Sequence, residues 1–162
     1  TPIEVMEQYY PVLFEEFSLH EGSGGAGKTR GGFGVNYKMK LRRGNARASM
    51  VMDHGRTGPK GALGGSDGGM NRVLVRQNGK DYTPPHLSKD QDIMIGPGDT
   101  IRVSTPGGGG YGNPFERDVA LVERDVIRGY YTSRQAEELF GVVFQPDGKS
   151  VDPAATDARR RN

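Results

Sequence analysis

The sequence contains no cysteine, which excludes a disulfide framework and any thiolate metal site built from this chain. It has no apolar stretch near the ~20 residues that a membrane-spanning helix needs. The opening residues, Thr1-Pro2-Ile3-Glu4, lack the charged and apolar regions of a signal peptide. These absences make the cytoplasm the expected compartment, with no membrane partner. Charge of one sign is also scarce: 22 basic against 20 acidic side chains leave a net charge of +2, too little to argue for a nucleic-acid partner. The one dense basic run, Arg159-Arg160-Arg161, sits at the tail, where such runs are usually solvated. Hydrophobic residues make up only 33% of the 162. A chain of this length supports one domain with a core, but the core is thin, and burial against a partner is expected to complete it.

What the sequence has in abundance is glycine, 26 residues, which with 10 prolines exceeds a fifth of the chain. The glycines cluster between apolar segments, so the pattern reads as an ordered, loop-rich domain. Residues 1–10 suit a short helix, with Thr1 as N-cap and Pro2 at the first helical position. Alternating or β-rich runs predict strands at 12–20, 35–41, 46–52, 73–76, 80–83, 92–95 and 100–105. Asn78-Gly79 signals a type I′ hairpin, and Pro97-Gly98-Asp99 a turn. After the glycines of 107–110, Asn113-Pro114 opens a helix with an apolar stripe at Phe115, Val119, Val122 and Val126, which Gly129 closes. Thr132 and Gln135 have capping-box spacing for a second helix ending at Gly141. The expected fold is therefore mainly β with two C-terminal helices, an α+β, glycine-rich antiparallel β domain. It spans 1–144 with the helical pair at 114–141, and 145–162 is expected as an extended or disordered tail.

Gly22-Ser23-Gly24-Gly25-Ala26-Gly27-Lys28-Thr29 satisfies the phosphate-loop pattern G-x-x-x-x-G-K-[ST]. A working phosphate loop leads straight into a helix whose N-terminus faces the anion. Here Arg30-Gly31-Gly32-Phe33-Gly34 follows, and each glycine in a helix costs ~1 kcal/mol relative to alanine. The match at Gly22, Gly27, Lys28 and Thr29 is therefore read as fortuitous, and no cofactor is expected there.

Larger blocks resemble a known family. Thr1-Pro2-Ile3-Glu4-Val5-Met6-Glu7 with Tyr10-Pro11, the run Ser23 to Gly34, Gly96-Pro97-Gly98-Asp99, and Thr105 to Pro114 are similar, in order, to hydantoinase B/oxoprolinase subunits. The blocks with the following helical pair cover roughly residues 1–144. The resemblance implies the C-terminal part of the B-type subunit of an ATP-dependent cyclic-amide hydrolase. The alternatives are part of an ATP-dependent ketone carboxylase of the acetone or acetophenone type, or a non-catalytic assembly subunit of such a complex. It further implies ATP and Mg bound by an A-type partner subunit, and a divalent metal held in an N-terminal portion that this sequence does not include. The chain then reads as a split subunit or cleaved piece, inactive alone. Its expected partners are the N-terminal part of the B-type subunit, the A-type subunit and a small cyclic amide or ketone.

Few residues stand out as chemistry-bearing. His20, His54 and His86 are isolated in sequence, with no metal-ligand spacing, so no metal site is expected from this chain. Asp53-His54-Gly55-Arg56 is the best polar cluster, because a strand end feeding a long loop is where sites are commonly built. Arg30, flanked by Thr29 and glycines, has a fork able to grip a carboxylate or phosphate. Asp53, His54, Arg56 and Arg30 are the candidate site residues.

Overall fold

Alternation of apolar and polar side chains produces most of the regular structure seen in the computed structural model, which describes residues 1–161. In chain order these are α1 (Ile3–Tyr9), β1 (Val12–Leu19), β2 (Val35–Leu41), β3 (Ala46–Val51), β4 (Arg72–Gln77), β5 (Lys80–Tyr82), β6 (Lys89–Ile95) and β7 (Thr100–Ser104). A short 3-10 turn (Pro114–Glu116), α2 (Val119–Ile127), α3 (Ser133–Phe140) and α4 (Pro153–Arg161) follow. The expected mainly antiparallel β fold with C-terminal helices is what the chain adopts. The residues sort into two compact units. The first holds 1–20, 34–58 and 70–106; the second holds 21–33, 59–69 and 107 onward.

In the first unit, a five-stranded antiparallel sheet runs in the order β1-β2-β7-β4-β5, and β3 pairs with β6 in a second sheet. Strand β4 shows the driving pattern: Val73 and Val75 point inward while Arg72, Leu74 and Arg76 point out. They join Leu41 and Val103 of the larger sheet and Met50, Ile93 and Ile95 of the smaller one in a single apolar core. The β4–β5 hairpin is fixed by Asn78 and Gly79, whose φ values of 49° and 78° are both positive, as a type I′ turn requires. Helix α1 differs from expectation at its start. Pro2, not Thr1, is the N-cap, and no side chain caps the helix.

The second unit is built on backbone rather than side chains. Glycine-rich segments within 22–33, 59–69 and 107–112 lie against one another. Gly25 N–H donates to Gly108 O at 2.8 Å and Gly108 N–H to Gly32 O at 2.9 Å. Ser66 N–H donates to Ala26 O at 2.8 Å and Gly110 N–H to Ser66 O at 2.9 Å. The approach is close enough that an added Cβ would meet carbonyl oxygen at 1.9 Å at both Gly31 and Gly110. As at the collagen axis, only glycine fits such crowding.

The helices cover one end of this bundle. The single helix expected from Asn113 is broken in two: Asn113 caps the 3-10 turn, and Asp118 then caps α2 by accepting from Ala120 N–H. Helix α3 carries the expected capping box between Thr132 and Gln135 and ends on Gly141 at φ 64°. Val122, Tyr131, Ala136, Phe140 and Val142 form the apolar core with Ala26 of the bundle. Replacing Thr132 by alanine removes the acceptor for Gln135 N–H and is expected to lower stability by about 1 kcal/mol, read as a lower urea midpoint with an unchanged slope.

Residues 145–162, expected as an extended or disordered tail, include α4. Its start signal is local: Asp152 Oδ1 accepts from Ala155 N–H at 3.0 Å, with Pro153 at the first helical position. Thr156, only 2% exposed, then docks the helix by accepting from Val143 N–H at 3.0 Å. Asn162 lies outside the described residues. Among those described, no helix is long and apolar enough to cross a membrane.

Candidate functional site

The phosphate-loop match resolves into structure, not a cradle. No helix follows Lys28; residues 30–34 carry no regular element. The backbone donors that would face phosphate are engaged elsewhere. Gly25 N–H goes to Gly108 O, Ala26 N–H to Ser66 Oγ, Lys28 N–H to Gly112 O and Thr29 N–H to Tyr111 O. Lys28 itself is exposed and pairs with Glu116 at 3.3 Å. These residues do not fit a nucleotide's phosphates.

Arg30 grips a carboxylate, but an internal one. Its Nε lies 2.8 Å from Asp125 Oδ2, and Arg117 Nη2 reaches the same oxygen at 3.0 Å. Asp125 is 1% exposed. Burial works to raise its pKa, but the hydrogen bond and charge of Arg30, reinforced by Arg117, outweigh that and hold the carboxyl below its usual range. The Arg30 guanidinium also stacks 4.6 Å from the Phe33 ring centroid. The group is thus a buried clamp that fixes the glycine bundle onto α2. Sequence reading missed Asp125 and Arg117, although Asp125 sits three residues from Val122 on the buried side of α2, where an unpaired acid would not be tolerated.

Asp53, His54 and Arg56 do come together, and with residues the sequence did not connect to them. They line an open pocket of about 240 Å³ with Met52, Gly55, Thr57, His86, Ser88 and Lys89. The two loops are tied: Met52 N–H donates to Ser88 O at 3.1 Å, and Ser88 Oγ–H to Met52 O at 2.9 Å. Asn71 N–H anchors the far side by donating to His54 O at 2.9 Å. Gly55 has no room for a side chain, since a Cβ would sit 2.7 Å from Ser88 Oγ. His54 and Leu87 both adopt left-handed backbone at φ 62°. Such non-glycine conformations cost about 1–3 kcal/mol and cluster at functional sites. Asp53 bonds Lys89 at 2.8 Å, and the lysine's hydrogen bond and charge lower its pKa. No local sequence signal links the segments 53–56 and 86–89, which are about 30 residues apart. Arg30 belongs to the buried clamp of the second unit, whereas this pocket lies within the first. Among the described residues, no group of three or more His, Asp or Glu side chains is placed to hold a metal.

Comparison with known proteins places the chain. The family model for hydantoinase B/oxoprolinase matches residues 1–114. The caprolactamase subunit beta of Pseudomonas jessenii is 34% identical over 98% of this chain and 27% of its own length. An uncharacterised protein of Methanocaldococcus jannaschii is 41% identical over 78% of this chain and 22% of its own length. The chain thus spans about a quarter of the length of these curated relatives. Among solved structures, the ATP-dependent caprolactamase of Pseudomonas jessenii superposes with a TM-score of 0.79 at 30% identity, covering 99% of this chain and 28% of that one. A nucleotide-free acetone carboxylase shares the fold, with a TM-score of 0.77 at 21% identity over 99% of this chain and 26% of that one. This chain belongs to the hydantoinase B/oxoprolinase family.

Proposed function

We propose that the chain forms the C-terminal part of the B-type subunit of an ATP-dependent cyclic-amide hydrolase. The observation that carries this reading is the 34% identity with a caprolactamase beta subunit, which runs over 98% of the chain. The ketone-carboxylase alternative has weaker support, because the acetone carboxylase at 21% identity argues for fold alone. In such a hydrolase ATP converts the amide carbonyl oxygen into part of a leaving group, and water then completes ring opening. The backbone donors of Gly25, Ala26, Lys28 and Thr29 are engaged within the glycine bundle, which supports assigning ATP and Mg to an A-type partner subunit. The contribution of this chain is then a rigid scaffold, the glycine bundle with its Arg30–Asp125–Arg117 clamp, and the polar loop pair of the first unit. Asp53, His54 and Arg56 are the residues proposed to face reactants or partner groups.

The test is reconstitution with an A-type subunit and the N-terminal part of a B-type subunit. The assays are ATP-dependent opening of caprolactam, hydantoin and 5-oxoproline, run beside ATP-dependent carboxylation of acetone. Ring opening of at least one cyclic amide is the expected result, and Lys28→Ala should leave its rate within about twofold, since exposed ion pairs contribute little. Carboxylation without amide turnover would replace this reading with the alternative.

A further inference from the structure

We propose that the pocket framed by residues 52–57 and 86–89 binds a small oxyanion, a carboxylate or a phosphate. The proposal holds whether or not the ring-opening reading does, because it rests on the donors of this pocket alone.

Those donors converge from two loops. Arg56 is exposed and makes no ion pair among the described residues, so its planar fork is open to a two-oxygen acceptor. His54 Nδ1 lies 3.1 Å from Thr57 O. A carbonyl only accepts, so Nδ1 carries the proton, and Nε2 is left to serve as acceptor in the neutral ring or donor in the charged one. His86 brings a second imidazole from the opposite loop. Lys89 uses one direction on Asp53 and retains further N–H donors.

The acidic groups nearby are already engaged. Asp53 is held by Lys89, while Asp90, one residue on, accepts from Tyr82 O–H and Gln91 N–H. What remains is one guanidinium without a carboxylate partner, two imidazoles and the free N–H directions of Lys89, a surplus of donors over acceptors at the pocket. A metal would need more: Asp53 is taken by the ammonium, and no three-ligand group is in place. The size fits a small anion, since about 240 Å³ admits phosphate or a short carboxylate. The frame is also set before any ligand arrives. Left-handed backbone at His54 and Leu87, the missing side chain at Gly55 and the Ser88–Met52 bonds hold both loops in one arrangement. Preorganisation of this kind lowers the ordering cost of binding.

The experiment is NMR on the full chain labelled at imidazole and guanidinium groups, titrated separately with sodium phosphate, sodium acetate and, at matched ionic strength, sodium chloride. Saturable shifts are expected at His54, His86 and Arg56 with phosphate, acetate or both, and none with chloride. The difference between the first two decides which oxyanion the pocket prefers. Arg56→Ala, exposed and hence neutral to folding by its unchanged amide spectrum, should weaken binding about tenfold or more. His86→Gln should weaken it while leaving the Arg56 signal in place. The proposal is overturned if neither anion moves these signals, if Arg56→Ala leaves the shifts undiminished, or if zinc chloride alone perturbs the histidine pair.

Discussion

Gly31→Ala and Gly110→Ala are each expected to abolish stable folding of the second unit, whereas Gly32→Ala, one residue away, should melt like the parent chain. The contrast comes from what surrounds each Cα. A Cβ at Gly31 would lie 1.9 Å from Gly108 O and 2.5 Å from its carbonyl carbon; at Gly110 it would lie 1.9 Å from Ala26 O. At Gly32 nothing stands within 4 Å. Ordinary overpacking costs about 1–3 kcal/mol because flexible side chains give way. Here the obstacle is hydrogen-bonded backbone, so relief requires separating the segments and losing the bonds that join Gly25 to Gly108 and Ala26 to Ser66. A penalty above about 4 kcal/mol follows, against a total stability of roughly 5–15 kcal/mol. Gly32→Ala should lie between neutral and about 1 kcal/mol stabilising, through lower entropy of the unfolded chain. Urea melts with soluble yield measure all three. If Gly31→Ala unfolds within a few tenths of a molar of the parent, the backbone bundle does not hold the unit together.

How much of this was legible depends on where the information resides. The strands of the first unit were readable because period-2 alternation is local: Val73 and Val75 announce their own inward face. The same holds for Asn78-Gly79 and for Thr132 with Gln135, where side-chain chemistry dictates backbone conformation within four residues. The glycine bundle was not readable in that way. A glycine run shows that something approaches closely, but not that the approaching surface is another glycine run 40 or 80 residues distant. The break between the 3-10 turn and α2 was missed for a different reason. Asn113-Pro114 is a valid start signal, but Asp118 competes as a second cap, and the apolar stripe spans both. Helix α4 was lost to composition: a polar segment with Pro146 and Pro153 suggested a tail, although Asp152-Pro153 is a start signal in its own right. In the pocket, Asp53, His54 and Arg56 were found from local context. His86 and Lys89 were not, because only the β3–β6 pairing, Val51 with Lys89, carries them there.

Asp125→Ala should be the most damaging side-chain substitution in the second unit, lowering stability by about 3–5 kcal/mol. The carboxylate is 1% exposed and its partners are Arg30 at 19% and Arg117 at 6% side-chain exposure. Removing it strands the Arg117 guanidinium in the interior, where Arg117 Nε already lacks a hydrogen-bond partner. A buried charge left without its counterion costs far more than the intact pair contributes. For a chain of this size that corresponds to a fall in Tm of roughly 10 °C. The pH dependence has a definite sign. Because the folded-state pKa of Asp125 is lowered, the unfolded chain takes up this proton first as pH falls. The clamp therefore contributes its full stability above about pH 4 and loses it as pH drops through the lower, folded-state pKa. Other lowered carboxyls, such as Asp53, Asp81 and Asp147, are solvent-facing, where screening leaves them little weight. Asp125→Asn should accordingly flatten the acid side of the stability profile as well as lower it. A double-mutant cycle pairing Asp125→Asn with Arg30→Met separates the clamp from simple loss of packing, with a coupling of about 0.5–3 kcal/mol expected. Additive effects, together with an acid limb that Asp125→Asn leaves unchanged, would show that the bundle is held to α2 by apolar contacts instead.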